Sequence, residues 1–217
     1  MNYLNCEIES DQLVNKISDL AATIYVQVIE QYHVEDSIDS TFMNKYHIKS
    51  LCGLLSLKCW IDTVQWHLED EIRKIDLEPS ECLNIKRRID QSNQDRTNIV
   101  ELIDDYFLLQ YKEIKPMKNA KINTESPAWA LDRLSILNLK IYHMRMELTR
   151  DDTTKTHHGL CTFKLQTLME QHKDLCESID ELLQDIKEGV KQMKVYRQMK
   201  MYNDPDLNPV IYKSNTI

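Results

Sequence analysis

Glycine occurs at only three places in this chain, Gly53, Gly159 and Gly189, and no two of them are close in sequence. Ordinary chains carry about 7% glycine, and a large sheet needs a supply of tight turns that three isolated glycines cannot provide. The same scarcity excludes phosphate-cradling loops, nucleophile elbows and dinucleotide fingerprints, each of which needs closely spaced glycines. The common nucleotide-binding folds are therefore out of reach. At 217 residues the chain still has room for one domain, or a tight pair, with a real apolar core.

Between the breakers, apolar residues recur with helical rather than alternating periodicity. A first helix opens at the N-cap Ser10 and carries Leu13, Ile17, Leu20, Ile24 and Val28, ending near His33. A polar loop follows, around residues 35–44. A second helix spans about 47–74, and Pro79 with Ser80 marks the joint to a third, about 80–112. Ser126-Pro127 reads as an N-cap with proline at the first helical position and opens a fourth helix reaching about Arg150. A fifth runs from about Leu160 to Lys200, with a break near Gly189. The pattern predicts an all-α antiparallel bundle of about five helices over 1–200, with an extended C-terminal tail over 201–217.

The formal net charge of −8 argues against nucleic acid as a partner. The basic stretch Lys187, Lys191, Lys194, Arg197 and Lys200 reads first as a solvated helix end whose cations complement the dipole. The longest uncharged run, Leu20 to Ile29, is half what a membrane span needs, so no membrane is expected. The acid-bearing start MNYLNCEIESDQ is not a secretory signal. Six cysteines without CxxC or zinc-like spacing fit reduced thiols and a cytoplasmic location. His157-His158 reads as a solvated pair, and Glu30 with His33 as a single ExxH, where a di-iron bundle needs two.

The informative irregularity is charge in apolar stripes. One face of the second helix stays apolar through Leu54, Leu57, Ile61, Val64, Leu68 and Ile72. The other begins with Ile48, Cys52, Leu55 and Cys59, then turns to Asp62, Trp66, Glu69 or Asp70, and Arg73. The third helix has no apolar residue from Asp90 to Asn98, and its stripe passes through Ser92 and Arg96, flanked by Asn93, Glu101 and Asp104. The fourth helix is apolar all round yet contains Asp132, Arg133, Lys140 and His143. Buried unpaired charges cost several kcal/mol, so partners are required. Folding the third helix back on the second about residue 77 or 78 sets Cys59 to Asp62 level with Asn93 to Arg96 within about one turn, which makes Asp62 a candidate mate for Arg96. A fourth helix antiparallel to the third brings Asp132 and Arg133 towards Glu101 and Asp104, and Lys140 and His143 towards Arg96. The expectation is one polar chamber between these three helices.

WHLEDEIR at 66–73, KRRIDQSNQDR at 86–96, ELIDDYF at 101–107, NTESPAWALDRLSILNLKIYHM at 123–144 and MYNDPDLNPVIY at 201–212 resemble the bacterial domain-of-unknown-function family 4254, with tail wording like that of Bacteroidetes members. Family members often read Arg-Asn-Asp where this chain has Arg96-Thr97-Asn98. The resemblance implies a bacterial cytoplasmic helical protein and no assigned activity.

The residues themselves suggest binding, and hydrolysis as a further option, of a small anionic or phosphorylated ligand by Asp62, Trp66, Arg73, Asn93, Arg96, Asp132, Arg133, Lys140 and His143. Glu69, Asp70, Glu101 and Asp104 are the carboxylates of a type that would hold Mg²⁺. The alternative is a helical interaction protein whose charges fix helix register, forming a homo-oligomer through the fifth helix.

Overall fold

A computed structural model describes residues 16–201, 204 and 206–214. Six helices are present among them: α1 (Ile17–Glu35), α2 (Leu51–Glu71), α3 (Pro79–Gln110), α4 (Pro127–Leu148), α5 (Lys155–Lys187) and α6 (Pro209–Ser214). The expected N-cap Ser10 and the apolar Leu13 lie outside the described residues. The fold is all-α, as the periodicity requires.

Local chemistry sets the helix boundaries. Ser50, Ser126 and Thr154 cap α2, α4 and α5, each side chain accepting a hydrogen bond from a backbone N–H three residues on. Pro127 occupies the first turn of α4, where its missing N–H costs nothing. The fifth helix stops at Lys187, well short of the expected Lys200. Gly189 adopts φ +74°, and a side chain there would sit 3.0 Å from the Lys115 carbonyl oxygen. That left-handed residue turns the chain out of the helix. Beyond it, Lys121 donates its N–H to the Val190 carbonyl, and Gln192 donates back to Lys121.

Of the basic stretch, Lys187 alone stands at the helix end. Residues 191–201 run as irregular chain across α3, where Arg197 pairs with Glu101 and Asp105 and Lys200 donates to the Asn93 carbonyl. The tail is not wholly extended either, since it carries the short helix α6.

The most connected element is α4, which packs against α1, α2, α3 and α5. This explains why its apolar residues wrap the cylinder. The main core joins Tyr25, Val28 and Ile29 of α1, Leu55 and Cys59 of α2, Val100, Ile103 and Phe107 of α3, Leu131, Leu134 and Leu139 of α4, and Ile179 and Leu183 of α5. A satellite of Leu68, Ile85 and Ile89 closes the α2–α3 end. Among the described residues no helix is long and apolar enough to cross a membrane. Cys59, Cys82, Cys161 and Cys176 are free thiols, whereas Cys52 is disulfide-bonded, a departure from the expectation of reduced cysteines throughout.

Candidate functional site

The short α2–α3 connection fixes an antiparallel hairpin in which Gln65 donates to Asn93 at 2.9 Å and accepts from Ser92 at 3.2 Å. The polar stretch of α3 thus zips onto α2 by side-chain hydrogen bonds instead of apolar contact. One turn towards the core, Asp62 faces Arg96, with Nε 3.5 Å from Oδ1.

Two further residues complete the chamber. Asp132 of α4 receives Arg96 at both oxygens, Nε at 2.8 Å and Nη2 at 2.5 Å. Lys58, fully buried, bonds Asp62 and reaches Asp132 Oδ1 at 2.8 Å and the Asp132 carbonyl at 3.0 Å. Ser135 Oγ donates to Asp62 at 2.6 Å. Two acids and two bases give zero net charge, as a buried ionic cluster requires. The acids nevertheless differ. Burial pushes the Asp132 carboxyl up, but Lys58 and Arg96 outweigh it and hold it below the usual carboxylate range. For Asp62 burial wins over Lys58, and its carboxyl is raised; Oδ1 accepts no hydrogen bond among the described residues.

The register of α4 against α3 differs from expectation. Asp132 lies at Arg96, and Ser126 donates to Asp104 at 3.0 Å. Lys140 and His143 are accordingly carried past Arg96 towards α2, where His143 stacks on Trp66 with ring centroids 4.8 Å apart. The carboxylates proposed for Mg²⁺ do not gather. Gln65 pairs with Asn93, so Glu69 is level with residue 89, twelve residues or about 18 Å from Glu101 at 1.5 Å per residue. Glu69 holds Arg73 at 3.3 Å, Glu101 receives Arg197, and Asp104 is buried with its carboxyl pushed up to about 6, chiefly by burial. Arg133 is exposed and engaged with Glu125 at 2.6 Å.

Three cavities share walls around the chamber. One of about 260 Å³ is lined by Asp62, Trp66, Asp70 and Arg96. A polar one of about 860 Å³ between α4 and α5 is lined by Arg96, Arg133, Lys140, Asp174 and Glu181. The third, about 620 Å³, is walled by Trp66, His143, Met144, Phe163 and Leu168, again with Lys140. Lys140 is exposed and stands where the two larger cavities meet.

Sequence reasoning passed over Lys58 and His67, and set His33 aside as part of an unmatched ExxH. Lys58 carried a signal, a lysine four residues before Asp62 between apolar neighbours on a helix with two apolar faces. Nothing in the sequence joins His33 to His67, because they come from separate helices.

The profile of the family described as "Protein of unknown function (DUF4254)" matches residues 53–195, a span that contains every residue of the quartet. The chain belongs to this family. Neither the curated proteins nor the solved structures contain a match to this DUF4254 protein.

Proposed function

We propose that this DUF4254 protein binds a small molecule that joins an anionic group, such as a phosphate ester, to a flat or apolar portion. The observation that carries the reading is the position of Lys140, a cation shared by a polar cavity and an aromatic-walled one. In this arrangement Lys140 takes the anion as a point charge. The Trp66–His143 stack, with Phe163 opposite, receives the flat portion. Asp174 and Glu181 on the α5 wall accept hydrogen bonds from ligand hydroxyls. The buried quartet shapes the floor of the site and is not itself available, since Arg96 is already committed to Asp132.

Because the carboxylates of α2 and α3 lie apart, the reading is binding and does not extend to metal-assisted hydrolysis. The test is a thermal-shift panel of nucleoside monophosphates and sugar phosphates, with and without Mg²⁺. Ligand occupancy raises the melting temperature by mass action, about 2.7 kcal/mol at a hundred times Kd. A shift that is independent of Mg²⁺ and lost in Lys140→Ala is the expected result. A panel with no shift, or one untouched by Lys140→Ala, overturns it.

A second reading, self-association through α5, is supported by Leu160, Phe163 and Met169, which are 51%, 66% and 43% exposed on that helix. Light scattering separates the two: a dimer that Phe163→Glu dissolves favours association.

A further inference from the structure

Three helices bring histidines to one point. His33 comes from the last turn of α1, His67 from α2 and His143 from α4, and each offers one nitrogen within 4.8 Å of the other two. None is on a flexible loop. His67 stacks on Tyr32 at 4.8 Å and 18°, and His143 lies flat on Trp66, so two of the rings are held in plane by aromatic neighbours. The orientation of His33 is set by the backbone: its Nδ1 donates to the Ile29 carbonyl at 2.7 Å. With the proton on Nδ1, the Nε2 lone pair of His33 points into the cluster, where it faces His67 Nε2 at 3.2 Å.

That hydrogen-bond economy is incomplete. A hydrogen bond between His33 and His67 satisfies both of those nitrogens. His143 Nε2 is left buried without any partner among the described residues. An imidazole nitrogen packed away from water and left unpaired is costly, and aromatic packing alone gives no reason to place a nitrogen there, since a phenyl ring would stack on Trp66 as well. A second feature converges on the same point. Asp36 caps α1 in the left-handed conformation, φ 49° and ψ 50°, and this conformation, uncommon for a residue other than glycine, leaves its carboxylate 3.9 Å from His67 Nε2.

We propose that His33, His67 and His143 form a binding site for a first-row divalent transition ion of the zinc type, with Asp36 or water at the fourth position. Neutral imidazoles are the ligands such ions favour. For two of the three rings burial favours that form: it lowers the pKa of His67, and that of His143 to about 4, with the neighbouring histidines acting in the same direction. A tetrahedral ion with nitrogens at about 2.0–2.1 Å needs its ligands roughly 3.3 Å apart. The His33–His67 pair already has that spacing, and a His143 nitrogen lies within 4.8 Å of both. The Ile29 carbonyl on His33 Nδ1 is the kind of outer partner that orients metal-bound histidines and raises their basicity. Three nitrogens and one open or carboxylate position match the donor count of catalytic more than of structural zinc sites. This site does not depend on the ligand reading given above.

The full-length chain, freed of metal by chelation, is dialysed against Zn²⁺ and separately against Co²⁺. The expected result is one metal equivalent per chain by elemental analysis, with the intense visible absorption of tetrahedral Co²⁺ and shifted imidazole N–H resonances from three histidines. His143→Phe and His67→Phe keep the ring stacking and remove the nitrogens. Each is expected to weaken binding beyond the about 10–100-fold lost with an outer partner alone, while His157→Ala, outside the cluster, leaves it unchanged. The resonance count needs no variant and reads the site even where a substituted chain folds poorly. Retention of no metal, binding indifferent to both phenylalanine variants, or a Co²⁺ spectrum without histidine resonances overturns the assignment.

Discussion

Arg96 of α3 grips both carboxylate oxygens of Asp132 on α4, at 2.8 and 2.5 Å, while Lys58 of α2 reaches Oδ1 of the same carboxylate at 2.8 Å. A guanidinium fork and an ammonium on one carboxylate lock three helices at one level. The consequences differ for the two cations. Lys58 is wholly enclosed, whereas the Arg96 side chain keeps 29% of its exposure.

Lys58→Met leaves Asp62 and Asp132 buried with a single cation between them. The expected loss is about 3–5 kcal/mol, read from urea unfolding. Arg96→Leu is expected to cost less, because water reaches that edge of the cluster. Lys58→Met combined with Asp62→Asn removes one charge of each sign, keeps an acceptor for Ser135, and should regain most of the loss. A double variant no better than Lys58→Met would show that the deficit comes from packing and not from charge.

Asp104 gives the protein a pH dependence of known sign. Its folded-state carboxyl, raised to about 6, binds a proton more tightly than the unfolded side chain at about 3.9, so its contribution to stability is full below that value and is lost as pH rises through about 6. Asp104→Asn keeps the acceptor for Ser126 and cannot ionise. Melting curves should show the variant unchanged near pH 4 and more stable near pH 8 by on the order of 1 kcal/mol, about 2–4 °C for a chain of this size. An equal effect at both pH values would count against the assignment.

Two glycines should respond in opposite directions to alanine. Gly189→Ala forces a side chain into φ +74° and against the Lys115 carbonyl, at a cost of about 1–2 kcal/mol. Gly159 lies within α5, and a methyl group there meets nothing within 4 Å. Gly159→Ala should stabilise by about 0.5–1 kcal/mol. Calorimetry of the two variants side by side is sufficient, and a shared direction would contradict the account of how α5 ends.

Lys140 carries the proposed ligand site, and it makes no ion pair or hydrogen bond among the described residues. Lys140→Ala should therefore leave the melting temperature of the free protein within about 0.5 kcal/mol of the parent, as for surface substitutions generally, while abolishing the ligand-induced shift. A large fall in intrinsic stability would mark it as a structural residue instead.

How far these relationships could be read from the sequence depended on what fixes register. The α2–α3 turn is short, so counting back from a turn at residue 77 or 78 brought Asp62 within about one helical turn of Arg96. Sixteen residues separate Gln110 from Pro127, and a connector of that length does not determine where the next helix sits. Asp132, expected near Glu101 and Asp104, meets Arg96 instead. Lys58 falls on neither of the two stripes traced along its helix, so it was not counted among the charges of the chamber. The basic run 187–200 looked helical because its charges suit a helix end; the geometry of Gly189 decides otherwise, and Arg197 and Lys200 pair with α3.

The zero net charge of the Lys58, Asp62, Arg96 and Asp132 quartet means that the heart of the bundle projects little electric field outwards. What an approaching molecule senses in the neighbouring clefts is set almost entirely by rim side chains such as Lys140, Asp174 and Glu181. Lys140, Asp174 and Glu181 take no part in the quartet that docks the helices, so on the proposed reading substitutions there would change the ligand taken and leave the scaffold as it is.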